Sequence, residues 1–82
     1  MSEEIPHAPS VWQHFKGGFY TLIAVARHSE TEELLAVYEP VNDPGAIWVR
    51  PLSMWSEIVE VNGEHVERFK LVANLKPSTP GF

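Results

Sequence analysis

The 82-residue chain contains no cysteine. Disulfides, a thiolate metal site and a cysteine nucleophile are therefore excluded, and the composition fits a reducing compartment. Positive charge is scarce as well: six Lys and Arg stand against eleven Asp and Glu, for a formal net charge of −5. The six, Lys16, Arg27, Arg50, Arg68, Lys70 and Lys76, form no cluster along the sequence, so nucleic acid is not expected as a partner. No apolar run approaches the roughly 20 residues of a membrane-spanning helix, and no membrane association is expected. Met1 leads into Ser2-Glu3-Glu4, without the charged start and apolar core of a signal peptide. The expectation is a soluble, cytoplasmic protein. His7, His14, His28 and His65 show none of the spacings by which three or four metal ligands converge, so neither a metal nor another cofactor is expected.

What is present is apolar mass. At 44% hydrophobic residues, with three Trp, two Tyr and four Phe, the chain is too apolar for a disordered one. Its length suits one small domain with a modest core. Residues 1–10, with Pro6 and Pro9, read as a disordered tail, and residues 73–82, with Pro77, Pro80 and Gly81, as a flexible one. A single domain over 11–72 is left, with no internal repeat.

Strand signals dominate it. Phe19 to His28 is β-branched and aromatic over a length that suits one long, bent strand. Strict alternation puts Phe19, Thr21, Ile23 and Val25 on one face and Tyr20, Leu22, Ala24 and Ala26 on the other. Both faces are apolar, which predicts a strand covered on both sides. Leu34 to Glu39 is a second strand, ended by Pro40 and the Asn42-Asp43-Pro44-Gly45 turn, and Ile47 to Arg50 is a third. Asn62-Gly63 is the clearest local signal. Between Ile58–Val61 and Glu64–Val66 it reads as a two-residue hairpin with a type I′ turn, pairing Val61 with Glu64, Glu60 with His65 and Val59 with Val66, the last pair facing the core. Phe69 then lies an odd three residues beyond Val66, which predicts a β-bulge near Glu67-Arg68. Ser29-Glu30-Thr31-Glu32 has capping-box spacing, but Val37, Tyr38 and Pro40 follow closely, and a turn capped by Ser29 and Thr31 is the preferred reading. Four to five short, bent strands with polar turns predict an all-β fold, a small barrel that hides its strand edges by closure.

The chain also resembles a bacterial family catalogued as domain of unknown function 1653. The residues that carry the resemblance are His14-Phe15-Lys16-Gly17, Ala26-Arg27-His28-Ser29-Glu30-Thr31, Val37-Tyr38, Trp48-Val49-Arg50-Pro51-Leu52-Ser53-Met54 and Arg68-Phe69. They span about Trp12 to Val72. Trp55 stands where the family pattern suggests phenylalanine, and the Asn42–Gly45 loop differs from the family's. The resemblance implies a compact, SH3-like β-rich domain and brings no known activity.

For function, the stretch Ile47 to Trp55 is the richest. On a strand, Ile47 and Val49 share one face and Trp48 and Arg50 the other. The first pair is expected in the core and the second on the outer face, where an aromatic ring beside a guanidinium marks recognition. Leu52, Met54 and Trp55 are expected to plug one end of the barrel. Arg50 could instead pair with Glu30 or Glu57. The leading expectation is a non-catalytic binding module whose candidate ligand-binding residues are His28, Glu30, Tyr38, Trp48 and Arg50. Its partner would be a peptide, a protein or a small anionic ligand. A small enzyme using His28 and Glu30 is the alternative, although adjacent residues on one turn rarely aim at one atom. A structural domain, monomeric or weakly homodimeric through an uncovered strand edge, is the third.

Overall fold

A computed structural model describes residues 5–76. Among them are seven strands and one helical turn: β1 (Ser10–His14), β2 (Phe19–Arg27), β3 (Leu34–Pro40), β4 (Trp48–Pro51), α1 (Leu52–Trp55), β5 (Ile58–Val61), β6 (Glu64–Glu67) and β7 (Phe69–Asn74). The all-β expectation holds. Five strands form one antiparallel sheet in the order β4-β3-β2-β1-β7, and β5-β6 form a separate two-stranded sheet. Its edge strands β4 and β7 do not pair, so the main sheet stays open where a closed barrel was expected. The cover that closure would supply comes from α1. Leu52 and Trp55 sit three residues apart on one side of that turn and are buried at 5% and 1% exposure, while Met54, expected with them in the plug, is 40% exposed.

Two irregularities decide what faces inward. Between Leu22 and Ala24 the register of β2 against β3 shifts, and this β-bulge reverses the parity of everything after it. Val25 therefore pairs with Ala36 and packs on the core beside Leu22. Ala24 and Ala26 fall on the opposite face, and Ala26 is exposed rather than covered by another element. The second irregularity is the predicted one near Arg68. It is a full break rather than a bulge: β6 ends at Glu67, β7 starts at Phe69, and the two strands belong to different sheets. Arg68 holds the junction. Its amide donates to the Glu57 carbonyl, its carbonyl accepts from the Phe15 amide, and its guanidinium pairs with Glu57 at 3.0 Å.

The hairpin register matches the expectation pair for pair, Val59 with Val66, Glu60 with His65 and Val61 with Glu64. Asn62 and Gly63 have φ of 52° and 81°, the signature of a type I′ turn. Val59 and Val66 are only half-buried, however, because the hairpin stands apart from the main sheet.

The core is aromatic. Trp55 stacks on Phe69 with centroids 3.8 Å apart and planes within 8°, and meets Tyr38 and Trp12 edge-on at 5.1 and 5.7 Å. Leu22, Ala36 and Leu52 complete the buried cluster around them. The ordered region also reaches further than 11–72. Ser10 is fully buried, accepting from the Trp12 indole at 2.7 Å and donating to the His7 carbonyl at 2.6 Å. Ala73 and Asn74 pair with Val11 and Ser10, and the Leu75 amide donates to the Pro9 carbonyl at 2.9 Å. The outer parts of both expected tails, 1–4 and 77–82, lie outside the described residues. Among those described, no helix is long and apolar enough to cross a membrane.

Candidate functional site

Strand pairing builds the site. Tyr38 of β3 lies opposite Leu22 on one side and Trp48 of β4 on the other, and His14 of β1 lies opposite Phe69 of β7. Directly opposed residues share a face. Arg50 lies opposite the buried Ala36, so Trp48 and Arg50 are on the core-facing side of the sheet. The expected orientation of this strand is thus inverted: Ile47 and Val49, the supposed core pair, are 58% and 59% exposed. The physical reason is the covering helix. α1 follows β4 immediately, and turning Leu52 and Trp55 onto the concave face leaves Trp48 and Arg50 at the margin of that face.

There they line a cavity of about 270 Å³ with His14, Tyr20, Tyr38, Pro40 and Phe69. Arg50 is half-buried. Its Nε donates to the Tyr38 hydroxyl at 3.1 Å, and its guanidinium carbon lies 5.6 Å from the Tyr38 ring centroid and 5.5 Å from that of Phe69, within cation–π range of both. The rings form a continuous edge-to-face set: Tyr20 meets Tyr38 at 5.8 Å and Phe69 at 5.7 Å, and His14 meets Phe69 at 5.0 Å. Trp48, 60% exposed, forms the outer wall.

The electrostatics of this cavity oppose those of the chain. Eleven acidic residues are spread over the sequence, yet none of those among the described residues lines the cavity. Neither expected carboxylate partner reaches Arg50. Glu57 is engaged by Arg68, and among the described residues no ion pair to Arg50 exists. Its partners are a hydroxyl and two aromatic faces. His14 is held below its ordinary pKa, first by burial and then by the positive charges of Arg50, Arg68 and Lys16. Lys16, Arg50 and Arg68, scattered in sequence, thus act on one imidazole once the chain is folded.

His28 and Glu30 are not part of this constellation. They sit in the β2–β3 turn, beyond the Arg27–Leu34 pair that ends the hairpin. Tyr38 is four residues further along β3, roughly 13 Å away at strand spacing. The turn itself is the one preferred from sequence, with a different cap. His28 Nδ1 accepts from the amides of Glu30 and Thr31 at 3.1 and 3.2 Å, and Thr31 Oγ1 accepts from the Glu33 amide at 3.2 Å. An imidazole thus takes the role expected of Ser29, and Glu30 is exposed. Among the described residues, no three His, Asp or Glu side chains converge as a metal site would need.

His14, Tyr20 and Phe69 are not among the candidate site residues read from the sequence. Parity along β1, with Trp12 facing in, signals His14; nothing local could show that Phe69 returns from the far end of the chain to lie against it. A larger cavity of about 740 Å³ lies between the β5–β6 hairpin and β1–β7, with His14 as the shared wall. Its rim carries Glu64, Glu67, His65 and Lys70, charges of both signs with no convergent donor set.

No curated protein matches the chain. Among solved structures, the crystal structure of a DUF1653 protein from Bordetella bronchiseptica is similar, with a TM-score of 0.72 at 30% identity over 85% of this chain and 92% of that one. The family described as "Protein of unknown function (DUF1653)" matches residues 10–71, which takes in every strand from β1 to β6, the first half of β7 and every residue of the cavity, and the chain belongs to that family.

Proposed function

We propose that the domain is a non-catalytic binding module whose aromatic and arginine-lined cavity holds an anionic group, presented by a peptide segment or a small ligand. One observation carries this reading: in a chain with net charge −5, the cavity is lined by hydrogen-bond donors and aromatic faces, and among the described residues no carboxylate lines it and its arginine has no acidic partner. A half-buried cation without a counter-ion is costly. An incoming anion would relieve that cost. Arg50 would supply charge-assisted hydrogen bonds and Trp48 a stacking face. His28 and Glu30 enter the reading only as residues of the β2–β3 turn.

The test is a titration of the 15N-labelled chain with acetate, benzoate, inorganic phosphate and a short peptide with a free C-terminus. Saturable shifts are expected at the Trp48 indole N–H and Arg50 Nε–H. Arg50→Gln should weaken binding by about 10- to 100-fold, the equivalent of one charge-assisted bond of about 1.5–3 kcal/mol. Trp48→Ala should also weaken it while leaving the fold intact. If no probe saturates at these groups, or if Arg50→Gln binds like wild type, the reading is wrong.

A homodimer is the second reading. The exposed Ile47 and Val49 flank the open edge at β4, where a second copy could add a strand. Sedimentation equilibrium of wild type against Val49→Lys decides it, since a charge at that edge should abolish any dimer.

A further inference from the structure

The hydrogen-bond inventory of the cavity narrows the ligand, taking the anion-binding reading of the site as its basis. Arg50 Nε is committed to Tyr38, which leaves the two terminal nitrogens of the guanidinium, a planar fork matched by the two oxygens of a carboxylate. Because the Tyr38 oxygen accepts that bond, its own O–H remains free to donate. His14 supplies a further donor. Its Nδ1 accepts the Lys16 amide at 3.2 Å, and a neutral imidazole that accepts at Nδ1 carries its proton on Nε2. No acceptor for Nε2–H exists among the described residues.

The surroundings favour the neutral form of the ring. Arg50 of β4, Arg68 at the β6–β7 junction and Lys16 of the β1–β2 turn all oppose a charge on it. Phe69, Tyr20 and Phe15 pack on it as neutral rings. The hairpin groups Glu64, His65 and Glu67, with Lys70 of β7, lie across the larger cavity, and Glu57 is neutralised by Arg68. A second proton would have to enter at Nδ1, where it would break the Lys16 amide bond and set donor against donor. The cavity lining therefore presents one full positive charge, that of Arg50, which balances one negative charge. A dianion would leave one charge unmatched as it lost water. With Trp48, Tyr20 and Phe69 as walls of a space of about 270 Å³, there is room beside the anion for a flat or compact apolar group.

We infer that the ligand of this cavity is a singly charged carboxylate with a flat apolar flank, held end-on by the terminal nitrogens of Arg50 and by Nε2–H of a neutral His14. His14 is thus a specificity-determining donor, and binding takes up no proton at neutral pH.

Benzoate is the probe, with inorganic phosphate and a short peptide ending in a free carboxylate or in its amide as the other arms. Two-bond 1H–15N spectra of the imidazoles are expected to show the Nε2–H tautomer for His14 before and after saturation with benzoate. Calorimetry near neutral pH in two buffers of different ionisation heat should give equal binding enthalpies. His14→Phe keeps an aromatic ring and loses the donor, and should weaken benzoate by about three- to tenfold, the worth of one neutral hydrogen bond. His14→Gln, which places an amide donor near the Nε2 position, should restore most of that loss. Benzoate and the free peptide should both bind, the peptide amide and phosphate more weakly. Tighter phosphate binding, an Nδ1–H tautomer, buffer-dependent heats, or His14→Phe binding benzoate as wild type does would each overturn the inference. In those cases Arg50-dependent binding would leave the anion site standing. If no probe saturates at Arg50, both readings fall together.

Discussion

Replacing Trp55 by phenylalanine should leave the domain at least nearly as stable as wild type, although Trp55 is the largest fully buried side chain among the described residues. The indole is 1% exposed, stacked on Phe69 at 3.8 Å and edge-on to Tyr38 and Trp12. Each such aromatic pair contributes about 0.5–1.5 kcal/mol beyond area burial, and Trp55→Ala should cost about 3–5 kcal/mol. For a chain of this length total stability is about 4–12 kcal/mol, so the alanine variant should be close to unfolding. Phenylalanine preserves the stack and loses only the second ring, at about 1–2 kcal/mol of burial and cavity cost. It also removes a liability: Trp55 Nε1 is buried with no hydrogen-bond partner among the described residues, and an orphaned polar group of this kind costs about 1–3 kcal/mol. The two effects oppose each other, and the net change should lie between about 1 kcal/mol of destabilisation and about 2 kcal/mol of stabilisation. Urea denaturation followed by far-UV circular dichroism measures it, with an unchanged m-value as the check that the same surface is being exposed. A loss of about 3 kcal/mol for Trp55→Phe would refute the reasoning, because the indole N–H would then be contributing rather than costing.

The remaining predictions concern backbone, boundary and charge. Gly63→Val should destabilise by about 1–2 kcal/mol in urea titration; a Cβ there meets nothing within 4 Å, so the cost isolates the φ of +81°. A chain ending at Val72 should melt at least about 5 °C lower in a calorimetric scan, because it loses the strand pairs of Ala73 and Asn74 and the Leu75–Pro9 bond over the buried Ser10. The depressed pKa of His14 means that the unfolded chain binds more protons than the folded one as pH falls through 6.5, the ordinary value. Stability should therefore decline with acidification in that window, and His14→Gln should flatten the decline when denaturation midpoints are compared across it.

Local chemistry made much of this molecule readable in the chain itself. Asn62-Gly63 dictates its turn because two adjacent residues must take positive φ, and the alternation of the flanking valines then fixes the register. The odd step from Val66 to Phe69 marks the place where one strand must give way to another. The all-β class and the burial of Leu52 and Trp55 follow from composition and spacing of the same short-range kind. What the tertiary structure alone decided is parity and convergence. A single bulge at Ile23 moved Val25 inside and Ala24 and Ala26 outside, and the turn of α1 over the sheet inverted the faces of β4. Neither follows from alternation, because a period of two carries no information about where one residue is inserted or which face a later element will cover. The candidate site shows the same division. Tyr38, Trp48 and Arg50 were legible as an aromatic and cationic set, but Tyr20 joined them through the pairing of β2 with β3, and His14 and Phe69 through the pairing of β1 with β2 and β7. That pairing sets residues 55 positions apart in sequence against each other, His14 opposite Phe69, a contact that depends on the whole sheet being formed.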